Sequence, residues 1–407
     1  MHVLTRPGHA QYQARPGLYC ASKDGKCIVA NDVFPQRRDG NMKFLFETVR
    51  QLSGDHGAAD AGSAMAGAGR LRRGALGVLL AAAMAVAVPA GATCLDKAPL
   101  RGVNLAGAEF NGGKIPGTVF KDFMYPSASD ISYFANLGAN MLRLPFRWER
   151  LQPVVGGPLD PTQLRFMAKV VETAKSHGMC VLLDAHNYGA YNNIPLGRPG
   201  ATTEDFADFW VRVSAAFPDV DAVALGLMNE PVLTSLRQWG ETSKATLAKL
   251  RENDAKHLVV IAGGTYSGAH DWATPRDGVS NATTFASVKD PLGRTLIEVH
   301  QYVDSNYSGT KADCISPAKL TDILEKVRVW AVANKQRVFM GEFGVADTLE
   351  CRPTLQAALT SMRNAPWAGW TYWSAGAWWG KNYIFSVQPV VGVTRNSLSL
   401  LQVEWQK

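Results

Sequence analysis

The 407-residue chain is 46% hydrophobic and 19% charged, enough apolar material for a large core and too little charge for a disordered chain. Its net charge of +7 is unevenly spread: residues 1–92 hold eleven Lys+Arg against six Asp+Glu, and the remainder 31 against 29. The body of the chain is therefore nearly neutral, which excludes a basic field for nucleic acid.

In chain order the first recognisable element is a targeting segment. Arg70, Arg72 and Arg73 precede an apolar run from Gly74 to Val88, followed by Pro89-Ala90-Gly91-Ala92. A basic n-region, an apolar h-region and an Ala-x-Ala cleavage site ahead of Thr93 read as a secretory signal peptide. The run is too short and too rich in Ala and Gly for a membrane span, so export without a membrane anchor is expected. Met65 to Ala92 has the length of an ordinary signal peptide; residues 65–92 are read as the signal and Met65 as the true start. Residues 1–64, with no sustained periodicity, are then not part of the mature protein. Cys94 raises the alternative of a lipoprotein, but Thr93 fits a lipobox badly, and soluble extracellular secretion is expected.

From Thr93 short apolar runs alternate with helical patterns eight times. The strands read as Leu100–Leu105, Asn140–Pro145, Cys180–Asp184, Ala222–Met228, His257–Ala262, Thr295–His300, Arg337–Glu342 and Ala368–Trp373. Helices are expected around Ser129–Leu137, Thr162–His177, Glu204–Ala216, Leu236–Asn253, Pro317–Asn334, Pro353–Asn364 and Leu398–Trp405, with a short or irregular one near Tyr266–Trp272. Buried parallel strands read as continuous apolar runs, as these do. Eight βα units in residues 93–407 predict an α/β fold, a (β/α)8 TIM barrel forming a single domain. The competing open doubly wound sheet would want a Gly-rich phosphate loop after the first strand, and Asn104-Leu105-Ala106-Gly107-Ala108 matches one poorly.

In a barrel the C-terminal ends of all strands share one mouth, and the residues expected there are Arg143, His186, Asn187, Tyr188, Asn229, Glu230, His300, Tyr302, Glu342 and Trp373. Either carboxylate alone could be a capping or salt-bridged group, and any one histidine a bonded core residue. Their collection at the same end of six strands points to one site. The set offers no Schiff-base lysine and no phosphate clamp, and it is rich in hydroxyl-bonding groups and aromatics, which suits a neutral sugar. Two glutamates at two strand ends suit glycoside cleavage, which needs a protonated acid on the leaving oxygen and a second carboxylate at the anomeric carbon. Six cysteines are present, of which Cys20 and Cys27 precede the signal. Cys180 heads an apolar strand and reads as a buried thiol. Cys314 and Cys351 fall in loops after rim strands and are the expected disulfide, while the state of Cys94 stays open. No CxxC or HExxH spacing appears, so no metal or other cofactor is expected.

Leu142-Arg143-Leu144-Pro145, Asp184-Ala185-His186-Asn187, Asn229-Glu230-Pro231, His300-Gln301-Tyr302, Gly341-Glu342-Phe343-Gly344 and Trp373 together resemble glycoside hydrolase family 5. The stretches from His300 to Thr310, Asp184 to Tyr188 and Trp373 to Trp379 resemble its fungal-type endoglucanase branch. The resemblance spans essentially all of residues 100–405. It implies a retaining endo-β-1,4-glucanase with Glu230 as acid/base and Glu342 as nucleophile. Arg143 and Tyr302 would contact the nucleophile, His186, Asn229 and His300 would hold the sugar and the carboxylates, and Trp373 would stack under the sugar. It also implies that Cys314 and Cys351 are bridged.

Tyr188, Tyr191, Trp272, Trp378 and Trp379 are expected to flank or extend the mouth as stacking faces, with at most one of the adjacent Trp378 and Trp379 facing the groove. That favours a β-1,4-glucan polymer as partner, bound by a monomer. The same machinery acting on mannan or another β-glucan remains open, as does a non-catalytic carbohydrate-binding barrel. No Ser/Thr/Pro linker or second apolar unit follows Thr93, which favours soluble or amorphous chains as the target. N-terminal sequencing of the intracellular precursor is expected to begin at Met65; peptides from before that residue would overturn the start-site reading.

Overall fold

The computed structural model describes residues 94–97 and 99–407. The expected signal segment, residues 65–92, and the residues before it lie outside the described residues. Eight parallel strands close into a barrel: Leu100–Leu105, Met141–Phe146, Cys180–Ala185, Val223–Gly226, Leu258–Ala262, Thr295–Tyr302, Val338–Gly344 and Trp367–Ala375. Each pairs with its sequence neighbours, and the eighth closes on the first through Leu100 opposite Gly369. The (β/α)8 expectation holds, with strand limits shifted by at most two residues.

The strands are apolar along their whole length because both faces are covered. Leu142, Leu144, Val181, Leu183, Val259, Ile261, Ile297 and Val299 point outward into the main core shared with the helices. Met141, Leu182, Val260, Leu296 and Phe339 form a smaller cluster on the opposite, inner face. Side chains alternate faces along a strand. The interior rows therefore run from apolar to polar: Met141 then Arg143, Leu182 then Asp184, Leu296 then Glu298, His300 and Tyr302. Helix starts are fixed locally. Ser127 and Thr202 form capping boxes with Asp130 and Asp205, and Asp160 caps the helix Pro161–Ser176 with proline in its first turn. Two indoles tie helices to strand ends, Trp210 Nε1 donating to Leu227 O at 3.1 Å and Trp239 Nε1 to Ala262 O at 2.7 Å.

Three local features depart from the expected pattern. The fourth strand ends at Gly226, two residues before Met228, so Asn229 and Glu230 stand on a loop; Glu230 has a φ of 43°. After the fifth strand the short irregular helix expected near Tyr266 is a single 3-10 turn, Thr265–Ser267, whose three residues all have positive φ, and an α-helix, Asn281–Phe285, follows beyond the expected window. A hairpin of Ala190–Tyr191 with Ile194–Pro195 and a helical turn at Trp148–Leu151 add to the rim.

The cysteines need one correction. Cys314 and Cys351 are bridged as expected, but Cys180 is not a free thiol: it pairs with Cys94. Cys180 opens its strand at the bottom of the barrel, where the chain leading into the first strand passes beneath it. The bond closes a separation of 86 residues, for which the chain-entropy limit is about 4.6 kcal/mol and the usual return ~2–4 kcal/mol. A Cys94→Ser/Cys180→Ser double variant is expected to lose stability on that scale in chemical unfolding, with kcat retained because the bond lies at the end of the barrel away from the mouth.

Candidate active site

Arg143 is the hub of the mouth. It is fully buried on the second strand, and its guanidinium fork reaches five partners. Nη1 donates to Asn104 Oδ1 at 2.9 Å and Glu342 Oε1 at 2.8 Å. Nη2 donates to Asn229 Oδ1 at 2.8 Å and lies 3.0 Å from Asp184 Oδ1 and 3.2 Å from Glu298 Oε1. Burial opposes its charge, but the carboxylates of Asp184, Glu298, Glu342 and Glu230 overcome that and hold it protonated more firmly than an ordinary arginine.

Glu342 lies within the seventh strand. A register irregularity between Val299 and His300 sets His300 directly opposite it. Its second oxygen, Oε2, accepts from the Tyr302 hydroxyl at 2.7 Å. Glu230 comes in on its left-handed backbone, and its Oε1 lies 2.9 Å from His300 Nδ1. A non-glycine residue in that region costs of order 1–3 kcal/mol and persists where surrounding structure enforces it. One carboxylate oxygen of Glu230, one of Glu342 and a ring nitrogen of His300 lie within 4.8 Å of one another. These three could approach an ion, but Glu230 Oε1, both oxygens of Glu342 and the ring nitrogen of His300 are already engaged by one another, Arg143 and Tyr302. Burial raises the Glu230 carboxyl above its usual range, and the charge of Glu342 adds to this against the opposing pull of His300 and Arg143.

On the opposite wall His186 sits above Asp184, with Nδ1 2.8 Å from Asp184 Oδ2, and its Nε2 lies 3.3 Å from the Tyr188 hydroxyl. Burial lowers His186 to about 3, with Arg143 adding to the effect, so the ring is neutral and donates to Asp184. The Trp373 ring lies parallel to His186, centroids 5.7 Å apart, and its Nε1 donates to Tyr383 Oη at 2.8 Å. The Trp373–Ser374 peptide is cis. Asn229 Nδ2 is buried without a partner, so its amide has a donor left to give.

The barrel thus brings Arg143, His186, Tyr188, Asn229, Glu230, His300, Tyr302, Glu342 and Trp373 together. Two expected contact residues are placed elsewhere. Asn187 accepts from Trp148 N at 2.8 Å and donates to Glu149 Oε2 at 2.7 Å and Ala190 O at 3.2 Å, so its amide is consumed in tying rim loops. Trp272 is 3% exposed and packs between Phe285 and Trp330, because its loop folds inward under the Asn281–Phe285 helix. Of the further aromatics, Tyr191 is core, donating to Gln152 O and packed on Trp148. Trp379 stacks on Tyr383 with centroids 3.9 Å apart and meets Trp373 edge-on, while Trp378 is exposed.

A family model for Cellulase (glycosyl hydrolase family 5) matches residues 101–378. The chain belongs to glycosyl hydrolase family 5. Among relatives of this family 5 chain, endo-beta-1,4-glucanase B of Aspergillus niger is 33% identical over 323 residues, 77% of this chain and 94% of that protein. The crystal structure of an endo-beta-1,4-glucanase from Xanthomonas axonopodis pv. citri is 39% identical with a TM-score of 0.74, covering 75% of this chain and 98% of that one. XacCel5A in complex with cellopentaose is 42% identical with a TM-score of 0.73, covering 75% of this chain and 99% of that one.

Sequence reasoning passed over Asn104, Glu298 and Glu109. Asn104 braces Arg143 and donates to Gly341 O at 3.0 Å. Glu109, in the loop after the first strand, accepts from Gly107 N at 2.7 Å, and burial pushes its carboxyl up to about 8. The signal for Glu298 was present: an acid inside an apolar strand, two residues before His300 and so on the same face. An Asn187→Ala variant is expected to lose about 1–3 kcal/mol of stability through the orphaned Glu149 carboxylate and Trp148 amide. Its KM should stay within about two-fold, a split that thermal melts and steady-state kinetics resolve.

Proposed function

We propose that this family 5 protein is a secreted endo-β-1,4-glucanase that hydrolyses cellulose chains internally with retention of anomeric configuration. The observation that carries the mechanism is the approach of the Glu230 and Glu342 carboxylates to within 4.8 Å. Retaining enzymes hold their carboxyl groups ~5–5.5 Å apart, whereas inverting ones leave ~6.5–9.5 Å for a water. Glu342 is the nucleophile: Arg143 and Tyr302 each donate a hydrogen bond to one of its oxygens and fix its orientation. Glu230 is the acid/base: burial raises it, so it keeps a proton for the leaving oxygen. The attack of Glu342 on the anomeric carbon breaks the glycosidic bond as Glu230 protonates the departing oxygen. Glu230 then takes a proton from water, which displaces Glu342 from the sugar. Asn229, with its spare amide donor, is placed to bond the sugar 2-hydroxyl, a contact that strengthens in the transition state. Trp373, supported by Tyr383, offers a stacking face, and His186 and Tyr188 contribute polar contacts beside it.

The polymer is assigned from the relatives, two of them endo-beta-1,4-glucanases by name and one holding cellopentaose. Secretion is supported by the signal-like residues 65–92 and by two disulfides in the barrel domain.

Proton NMR of cello-oligosaccharide hydrolysis is expected to show the β-anomer first; initial α-product would overturn retention. Glu342→Gln is expected to lower kcat by more than about 10⁴-fold. Glu230→Gln is expected to lower it by about 10²–10⁴-fold. The sign of the pH dependence follows from the raised Glu230 carboxyl. Its proton is held to higher pH than an ordinary glutamate's, activity falls as pH rises through that titration, and Glu230→Gln removes this alkaline limb.

A further inference from the structure

Glu298 is 1% exposed on the inner face of the sixth strand, two residues before His300. Its Oε1 lies 2.9 Å from His300 Nε2 and 3.2 Å from Arg143 Nη2. The other ring nitrogen, His300 Nδ1, lies 2.9 Å from Glu230 Oε1 and 3.7 Å from Glu342 Oε2. Both nitrogens of one ring therefore face carboxylate oxygens, whereas a neutral imidazole has a single N–H to give. Space for this arrangement exists because residue 341 has no side chain: a Cβ there would stand 1.7 Å from Glu298 Oε1.

We propose that Glu298 is a positioning residue whose buried carboxylate keeps His300 an imidazolium between the two catalytic glutamates. Its catalytic use rests on the retaining reading above; the charge state it assigns to His300 does not. Two arrangements of the Glu230–His300 contact are conceivable. With a neutral ring, whose single N–H is taken at Nε2 by the Glu298 carboxylate, the Glu230 proton would sit on Oε1 and point at Nδ1, away from a leaving group. With an imidazolium, Nδ1–H donates to Oε1, and the Glu230 proton is free to sit on Oε2. Only the second arrangement leaves an acid to deliver. During glycosylation negative charge leaves Glu342, which forms its bond to the anomeric carbon, and appears on Glu230, which gives its proton to the departing oxygen. His300 touches both, so one fixed cation serves whichever carboxylate is charged. Glu298 anchors that cation from beneath without meeting substrate.

The groups facing His300 agree. Burial opposes its charge, but Glu342, Glu230 and Glu298 together push the ring up to about 10. Arg143 and His300 in turn hold Glu298 below the usual carboxylate range against its own burial. Asp184 and neutral His186 complete the charged and titratable surroundings, with Asp184 feeling the His300 charge.

The test is nitrogen-15 NMR of the histidine-labelled protein together with kinetics of Glu298→Gln. In the unmodified protein His300, assigned by its loss in His300→Asn, is expected to show both nitrogens protonated from pH 5 to 8. In Glu298→Gln it should titrate to the neutral form within that range. The variant's kcat is expected to fall at least about ten-fold with KM within about two-fold, and its alkaline limb to move to lower pH. A neutral His300 in the unmodified protein overturns the proposal, and that spectrum is readable even if the variant does not fold. A variant whose His300 spectrum and pH profile are unchanged overturns it too. Failure of retention in the anomer assay would leave the nitrogen-15 result standing, so the two readings fail separately.

Discussion

A single buried guanidinium organises the mouth of this barrel. Arg143 has no exposure to water, and an unpaired buried charge is among the costliest states a fold can hold. Its planar fork can be satisfied only by acceptors converging from several strands. Asn104 from the first strand, Asp184 from the third, Asn229 after the fourth, Glu298 from the sixth and Glu342 from the seventh all do so. Closing the barrel and assembling the site are thus one requirement, because the strands cannot drift apart without stranding that cation. The interior rows make this possible by keeping the lower half of the barrel apolar and delivering polar groups only near the mouth.

The same cluster sets the proton inventory. Two cations, Arg143 and His300, face four carboxyl groups, Asp184, Glu230, Glu298 and Glu342, in a region largely closed to water. A buried site tolerates little net charge, so protons are held where the carboxyls are raised most readily. Burial pushes Asp184 up to about 7 and raises Glu230, whereas Glu298 is pulled down. A proton on the Glu230 carboxyl is therefore favoured by charge balance across the whole cluster, and its local environment is one part of that balance.

The architecture was largely legible in the chain itself. Strands covered on both faces must be apolar throughout, and eight such runs with intervening helical patterns leave few folds open. The residues at the strand ends could be read because six of the eight apolar runs end at or beside polar groups. Harder to see was what lay one layer deeper. Glu298 and Asn104 sit inside runs whose ends drew attention, and only the alternation of faces reveals that they point inward. Asn187 and Trp272 misled for the opposite reason. Both occur near strand ends, but rim loops fold back on themselves, and their amide and indole were absorbed by packing that no periodicity encodes. The Cys94–Cys180 bridge was equally hidden, since it joins a strand start to a segment with no regular structure of its own.

Gly341 carries a consequence for how this sequence can vary. The space beside it is occupied by the Glu298 carboxylate, so any β-carbon introduced at 341 must displace that group. The two positions therefore exclude one another by volume: a larger residue at one demands a shorter one at the other. A β-carbon at 341 is therefore accommodated only where position 298 has first been shortened, which removes the carboxylate that faces His300. The immediate neighbour of Glu342 is locked by a partner 43 residues away in the chain and one strand over, the residue before Glu342 being held bare to make room for a charge beneath it.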